Sequence, residues 1–261
     1  MLAARAELER RAGRKLWKYY PDEGPLRREL YAKHLEFFEA GINKRERAAM
    51  AGNRVGKSEG IGAYEVTLHL TGLYPDWWKG RRFTQPVNFL CGGDTNTTTR
   101  DIIVAKLLGP AEARGTGMIP RDCVDRVAPA PGVPGHVDYA KILHVSGKHS
   151  TVQFRSYDQG REAWQGTERD GIWMDEEPPQ SIYTEALLRT MTTKGIVLCT
   201  FTPLNGLTDV ALSFMNPEGQ KWVVGIDWND VPHLSQEDKD ELWASIPPHQ
   251  RDARAKGIPA L

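Results

Sequence analysis

Ala51-Gly52-Asn53-Arg54-Val55-Gly56-Lys57-Ser58 closes the apolar run RAAMAG (47–52) and opens a helix-length segment, 57–71. A strand that passes through a glycine-containing turn into a helix points successive backbone N–H groups at one place. The positive end of the helix dipole lies there too, so the arrangement binds phosphate. In such a loop Lys57 reaches the β- and γ-phosphates of a nucleotide, and the Ser58 hydroxyl is placed for Mg²⁺. Ala51 stands where the pattern has its first glycine, and a small residue there still permits the tight turn. All eight residues are therefore expected to line a site for ATP with Mg²⁺.

Outward from this loop, short apolar runs alternate with helix-length segments. VNFLCGG (87–93) precedes 96–108, GIWMD (171–175) precedes 181–193, GIVLCT (195–200) precedes 207–215, and KWVVGIDW (221–228) precedes 235–245. Strands spaced by helices predict an α/β fold with a mainly parallel central sheet and crossover helices on its faces. AKILHVSG (140–147) and HSTVQFRS (149–156) flank Gly147-Lys148 and predict an added antiparallel hairpin. Residues 109–135 are rich in Gly and Pro without periodicity and are expected to form a long surface excursion. Residues 1–20 carry few apolar positions among many charges, which suits a surface helix or arm; a second helix is expected from Pro25 to Phe38. The expected organisation is a helical arm (1–40), a nucleotide-binding core (41–235), and a C-terminal helix running into a linker (236–261).

A phosphate loop that turns over a nucleotide needs a carboxylate for the metal and a group that orients the attacking water. Gly171-Ile172-Trp173-Met174-Asp175-Glu176-Glu177 supplies both at the end of an apolar strand. Asp175 is the expected Mg²⁺ carboxylate, and Glu176, one residue on and facing the other way, the general base. Glu177 is expected to be solvated. A glutamate directly after the metal aspartate is common in ATP-driven motors and helicases, so the fold expected is a phosphate-loop NTPase of the additional-catalytic-glutamate type.

The third strand ends Cys199-Thr200-Phe201-Thr202-Pro203-Leu204-Asn205-Gly206. Together with the two preceding motifs, in this order, the sequence resembles the ATPase domain of the large terminase subunit of tailed bacteriophages, the motor that packs DNA into procapsids. The resemblance covers about residues 30–230. It implies that Thr200, Thr202 and Pro203 couple hydrolysis to movement, with the threonine hydroxyls sensing the γ-phosphate or contacting Glu176. Arg54 takes the family's arginine position inside the loop, so Glu176, Lys57 and Arg54 form the expected catalytic set. Where members often carry an arginine acting in trans on a neighbour's ATP, this chain has Gln165 before Gly166, which leaves Arg161 and Arg169 as candidates. Adenine recognition is expected around Phe37–Arg47. Lys79, Arg81, Arg82 and Arg100 are candidates for contact with DNA phosphates.

The implied partners are double-stranded DNA, the portal protein of the procapsid, the small terminase subunit, and further copies in a homo-oligomeric ring, a pentamer by the resemblance. The implied location is the host cytoplasm, transiently at the portal vertex. A nuclease domain accompanies the ATPase in complete family members, and no segment after residue 230 resembles one, so nuclease activity is not expected of this chain. Two other readings keep the phosphate loop: a helicase or other ring ATPase, and a nucleotide-switched binding module without productive hydrolysis.

Charge narrows these choices less than the motifs do. The 261 residues hold 34 Lys/Arg and 34 Asp/Glu, a net charge of zero, so contact with a polyanion must be local. Cys91, Cys123 and Cys199 lie far apart without a Cys-x-x-Cys pair, which argues against a disulfide framework or zinc site. No stretch approaches the ~18–20 apolar residues of a membrane span, so no membrane partner is expected.

Overall fold

The computed structural model describes residues 13–132 and 134–259. Eight strands form one sheet: β1 (Glu46–Ala51), β2 (Asn88–Gly93), β3 (Val124–Pro129), β4 (Val137–Leu143), β5 (His149–Ser156), β6 (Gly171–Asp175), β7 (Ile196–Phe201) and β8 (Lys221–Ile226). Their order is β3-β4-β5-β2-β6-β7-β1-β8. The strands from β5 to β8 in that order run parallel, while β3 and β4 are antiparallel additions at one edge. β7 lies between β1 and β6, so the phosphate loop and the acidic motif end side by side with the Thr200 strand between them.

Side chains alternate across the sheet, and each face has its own core. Ala49, Trp173 and Leu198 face one layer with Phe37, Phe38, Tyr64 and Ile61; Ala48, Ile172, Met174 and Cys199 face the other with Ile182, Tyr183 and Phe214. The first layer comes from α1 (Ala32–Ala40) and α2 (Tyr64–Thr71), the second from α4 (Gln180–Met191) and α5 (Asp209–Met215). Between them in sequence, a π-helical stretch Thr99–Val104 leads into α3 (Ala105–Leu108). α6 (Gln236–Ser245) and α7 (Arg251–Lys256) follow β8.

α2 is preceded by a π-helical opening, Lys57–Ala63. This places Gly62 flat against the Trp173 indole, where a Cβ would fall 2.2 Å from the ring. At the start of β1, Arg47 is wholly buried and donates to Glu65 of α2 at 2.5 and 3.2 Å and to the Phe37 carbonyl at 2.7 Å. His69 Nε2 lies 3.0 Å from the same carboxylate. Removing one member of such a buried set costs about 3–5 kcal/mol, because the remaining charge stays out of water without a partner.

Several expectations change. The excursion at 109–135 buries Met118, Ile119 and Cys123 and contains β3, an edge strand whose sequence VDRVAP alternates too weakly to be seen. The hairpin is present as β4 and β5, but β5 also pairs parallel with β2 and so belongs to the main sheet. Of the expected N-terminal arm, residues 1–12 lie outside the described residues. Leu16 and Tyr20 are core residues, packed with α1 and α2. The second helix begins as a 3-10 turn, Arg28–Tyr31, and becomes α-helical only at Ala32. At the other end, α7 does not run out into a linker. Ala253 and Ala255 are buried, and Gly257, at φ +69°, lies where a Cβ would meet the Met50 carbonyl at 2.5 Å. Both expected flanking regions thus pack on the core around the phosphate loop.

Candidate functional site

The carboxyl ends of β1, β6 and β7 bring Lys57, Ser58, Asp175, Glu176 and Thr200 together. Lys57 Nζ stands 3.5 Å from Glu176 Oε1. Asp175 is 3% exposed and accepts from Thr200 Oγ1 at 2.7 Å, with Ser58 also in hydrogen-bonding reach. Trp173 Nε1 donates to Thr200 at 2.8 Å and fixes that hydroxyl's orientation. Burial pushes the Asp175 carboxyl up, although Lys57 and the Thr200 and Ser58 hydroxyls act in the opposite sense. Burial and the charge of Asp175 also raise Glu176, against the pull of Lys57 and the Thr202 backbone N–H. Glu176 adopts φ +69°, a left-handed conformation that costs a non-glycine residue about 1–2 kcal/mol.

The residues expected to couple hydrolysis to movement divide their contacts. Thr200 binds Asp175 rather than Glu176. The Thr202 hydroxyl donates to the Ala51 carbonyl at 2.8 Å and to Asn53 Oδ1 at 3.1 Å, while its backbone reaches Glu176. The turn opened by Pro203 is therefore tied to both the phosphate loop and the acidic motif. Glu177 is not a solvated surface acid. It accepts from Thr208, the N-cap of α5, and Asn205 also bonds to it, while its Oε2 is buried.

Within the loop, the N–H groups of Gly52 and Asn53 donate to the carbonyls of Ile226 and Arg254 at 2.9 and 2.6 Å. Their amides serve the fold, so neither is free to bind a ligand. Gly52 can approach α7 because it lacks a side chain; a Cβ there would sit 2.6 Å from the Ala255 carbonyl. Three ring N–H groups grip the next carbonyls: Trp228 Nε1 donates to Asn53 O at 2.9 Å, His233 Nε2 to Arg54 O at 2.7 Å, and His34 Nε2 to Val55 O at 2.9 Å. His34 is buried, which lowers it to about 3 and keeps it neutral. Tyr20 Oη donates to the Gly60 carbonyl at 2.8 Å and lies 2.6 Å from His34 Nδ1; Tyr31 stacks on His233.

These rings lead into a cavity of about 1170 Å³ that opens on Gly56, Lys57 and Ser58 and extends between Lys18–Tyr31 and His233–Ser245. The expected adenine segment, Phe37–Arg47, is not part of it: Phe37 and Arg47 are buried in the core. Tyr31, just before α1, and His34, in its first turn, lie close in sequence and their ring centroids are 5.1 Å apart, but no local signal linked them to residues 233–245.

The remaining basic candidates are dispersed. Arg169 is 7% exposed, bonded to Asn88 and Gln153, and precedes β6 at the amino end of the strands, so it is committed inside the fold. Arg161 is exposed in a short turn (Arg161–Trp164) after β5, on the nucleotide side of the sheet. Arg81 donates to the Lys194 carbonyl and Arg82 to those of Pro75 and Trp78, which ties down the loop before β2 at the amino end of the sheet. Lys79 belongs to the same loop. Arg100 lies beyond the carboxyl end of β2 and pairs with Asp101. The four do not form one patch.

A family model described as terminase large subunit, T4likevirus-type, N-terminal, matches residues 48–261. The chain belongs to the terminase large-subunit family. The large terminase subunit of Salmonella phage P22 is 40% identical over 252 residues, covering 88% of this chain and 50% of that protein. The large subunit of Enterobacteria phage LP7 is 36% identical over 120 residues, covering 46% of this chain and 25% of its own length. This member of the family thus spans about half the length of its phage P22 relative. Its fold matches the large terminase of a thermophilic bacteriophage solved in complex with ADP (TM-score 0.65, 16% identity, 89% of this chain and 52% of the other). It also matches the large terminase ATPase domain of Thermus phage P74-26 (TM-score 0.58, 17% identity, 89% and 96%).

Proposed function

We propose that this chain is the ATP-hydrolysing motor domain of a phage DNA-packaging machine, which drives double-stranded DNA into a procapsid. The observation that carries this reading is the convergence of Asp175 and Glu176 on Lys57 and Ser58, two residues that line a cavity large enough for a nucleotide. The ADP complex of the thermophilic phage terminase, which shares this fold, supports the choice of nucleotide.

Lys57 neutralises phosphate charge, and the amides from Arg54 onward surround it. Glu176 accepts a proton from the attacking water as the new bond to the γ-phosphorus forms and the bond to the β,γ-bridging oxygen breaks, releasing ADP and phosphate, a step that general-base catalysis accelerates about 10²–10⁴-fold. Its raised proton affinity suits that task. The donor set Ser58 hydroxyl and Asp175 carboxylate fits Mg²⁺, a hard cation that takes oxygen ligands. The Asp175 carboxylate accepts hydrogen bonds from hydroxyls, shares Lys57 with Glu176 and is destabilised by burial, so a cation there would relieve it. When bound, Mg²⁺ would neutralise charge on the phosphate oxygens. Loss of the γ-phosphate would free Lys57 to close on Glu176, and the Thr202–Pro203 turn, bonded to both motifs, would carry the change onward. Arg54 would sense phosphate, and Arg161 of a neighbouring copy would reach the ATP in a ring. The portal protein and small subunit are the proposed partners, in the host cytoplasm and at the portal vertex. We assign this chain no nuclease step.

ATP turnover, measured with and without procapsids and linear duplex DNA, tests the reading. Lys57→Ala and Glu176→Gln should each abolish hydrolysis while the protein melts normally; undiminished turnover in Glu176→Gln would refute the assignment. Unwinding of a forked duplex without procapsids would favour a helicase, and nucleotide binding without turnover even on procapsids would favour a switch.

A further inference from the structure

The three ring N–H bonds to the phosphate loop fall on consecutive carbonyls, those of Asn53, Arg54 and Val55, and come from separate parts of the chain. His34 lies on α1, Trp228 in the turn after β8, and His233 in the loop before α6. In a trans peptide, the carbonyl of one residue and the N–H of the next point in opposite directions. Holding these carbonyls outward therefore turns the N–H groups of Arg54, Val55 and Gly56 inward, towards the space in front of Lys57.

We infer that His34, Trp228 and His233 are positioning residues that shape the loop's amides into a phosphate cradle before any ligand arrives. This rests on the nucleotide-binding reading above and adds the means by which the site is preorganised.

The backbone of the loop supports the inference. Arg54 has φ +65° and Gly56 φ +84°, with Val55 buried between them. Left-handed residues set among ordinary ones curl successive amides into an anion-binding nest. Glycine adopts that conformation freely, whereas at Arg54 it is strained. Outside contacts must hold it, and the His233 bond to the Arg54 carbonyl is one. The loop's other face is fixed as well, by Thr202 on the Ala51 carbonyl and by the Gly52 and Asn53 amides described above. A loop without these bonds would have to order its amides on binding, and affinity would fall by that cost. Since the grip comes from α1 and from the 228–233 region together, the cradle exists only when both flanks are docked on the core.

Calorimetric titration of the whole chain with ADP and, separately, with inorganic pyrophosphate tests this. Trp228→Phe removes one N–H and keeps a ring, and Trp228 does not line the cavity. It should weaken both ligands about 5–10-fold, with an unchanged melting temperature, and raise KM for ATP without lowering kcat at saturation. His34→Leu should do the same, and His34→Gln, which keeps an N–H donor, should recover much of the loss. Two results would overturn the inference: ADP and pyrophosphate affinity unchanged in both Trp228→Phe and His34→Leu, or loss for ADP alone, which would place these rings on the base rather than the loop. A wild-type chain that bound neither ligand would instead overturn the nucleotide reading, and the cradle with it.

Discussion

Glu65 and Asp175 are both buried carboxylates in one molecule, at opposite ends of the sheet, and their surroundings are contrary. Glu65 is enclosed by Arg47 and His69. Burial alone would raise it, but the Arg47 charge and the hydrogen bonds outweigh burial and hold it below the usual carboxylate range. Asp175 has two hydroxyls and a lysine that also faces Glu176, so burial prevails and it is raised. The amino end of the sheet therefore carries a neutralised ion set that fastens α2 to β1. The carboxyl end carries buried negative charge left short of compensation, the condition that the proposed cation and phosphate site calls for. Burial of a charge does not by itself mark function; incomplete pairing does.

Exchanging charge for amide at each place should break the two regions differently. Glu65→Gln is expected to destabilise the chain by about 3 kcal/mol or more, seen in urea unfolding, because Arg47 stays buried without its counter-ion. Asp175→Asn should leave stability unchanged or raise it, while removing Mg²⁺-dependent turnover. Equal loss of stability in both would erase the distinction.

Acid should separate them with smaller effect. Glu65, depressed in the fold, contributes stability above its unfolded value that is lost as pH falls through its folded value. Asp175 and Glu176, raised in the fold, cost stability above their folded values, and that cost is relieved as pH falls through them. Wild type should thus gain slightly on mild acidification before acid unfolding, and the Asp175→Asn/Glu176→Gln double variant should lack that gain in thermal melts.

The smallest expected effect concerns a half-buried acid between the two extremes. Burial would raise Glu59, but Lys15 and Lys106 hold it at about 2. Solvent screening limits such a pair, so Glu59→Gln should cost only about 1 kcal/mol at pH 7 and nothing near pH 2.

Much of this was legible in the sequence, for local reasons. The alternation of strands and helices needs only patterning along the chain, and all five strands of the parallel set that were expected from it are present. The loop at 51–58 and the acidic motif are contiguous, so the chemistry proposed for them could be read residue by residue. Groups whose meaning depends on distant partners were not legible. Glu177 is acidic beside a proline turn, and only Thr208 and Asn205, some thirty positions on, distinguish it from a solvated side chain. Arg169 and Arg81 look like free cations in polar loops, yet amide oxygens of neighbouring strands occupy Arg169 and the Lys194 carbonyl, in a distant turn, occupies Arg81. β3 is an edge strand, half exposed, and such strands have little hydrophobic signature.

Neighbouring residues alone were enough for the fold class and the family resemblance, and to single out the loop at 51–58 and the acidic pair at 175–176 for the proposed chemistry, because each is written within a short stretch of chain. Folding in three dimensions was needed to commit Thr200 to Asp175, to close the flanks at 16–34 and 228–257 around the loop, and to set His34, Trp228 and His233 on its carbonyls. Those contacts join residues up to about two hundred positions apart, and hydrogen bonds of that range leave no periodicity or spacing along the chain.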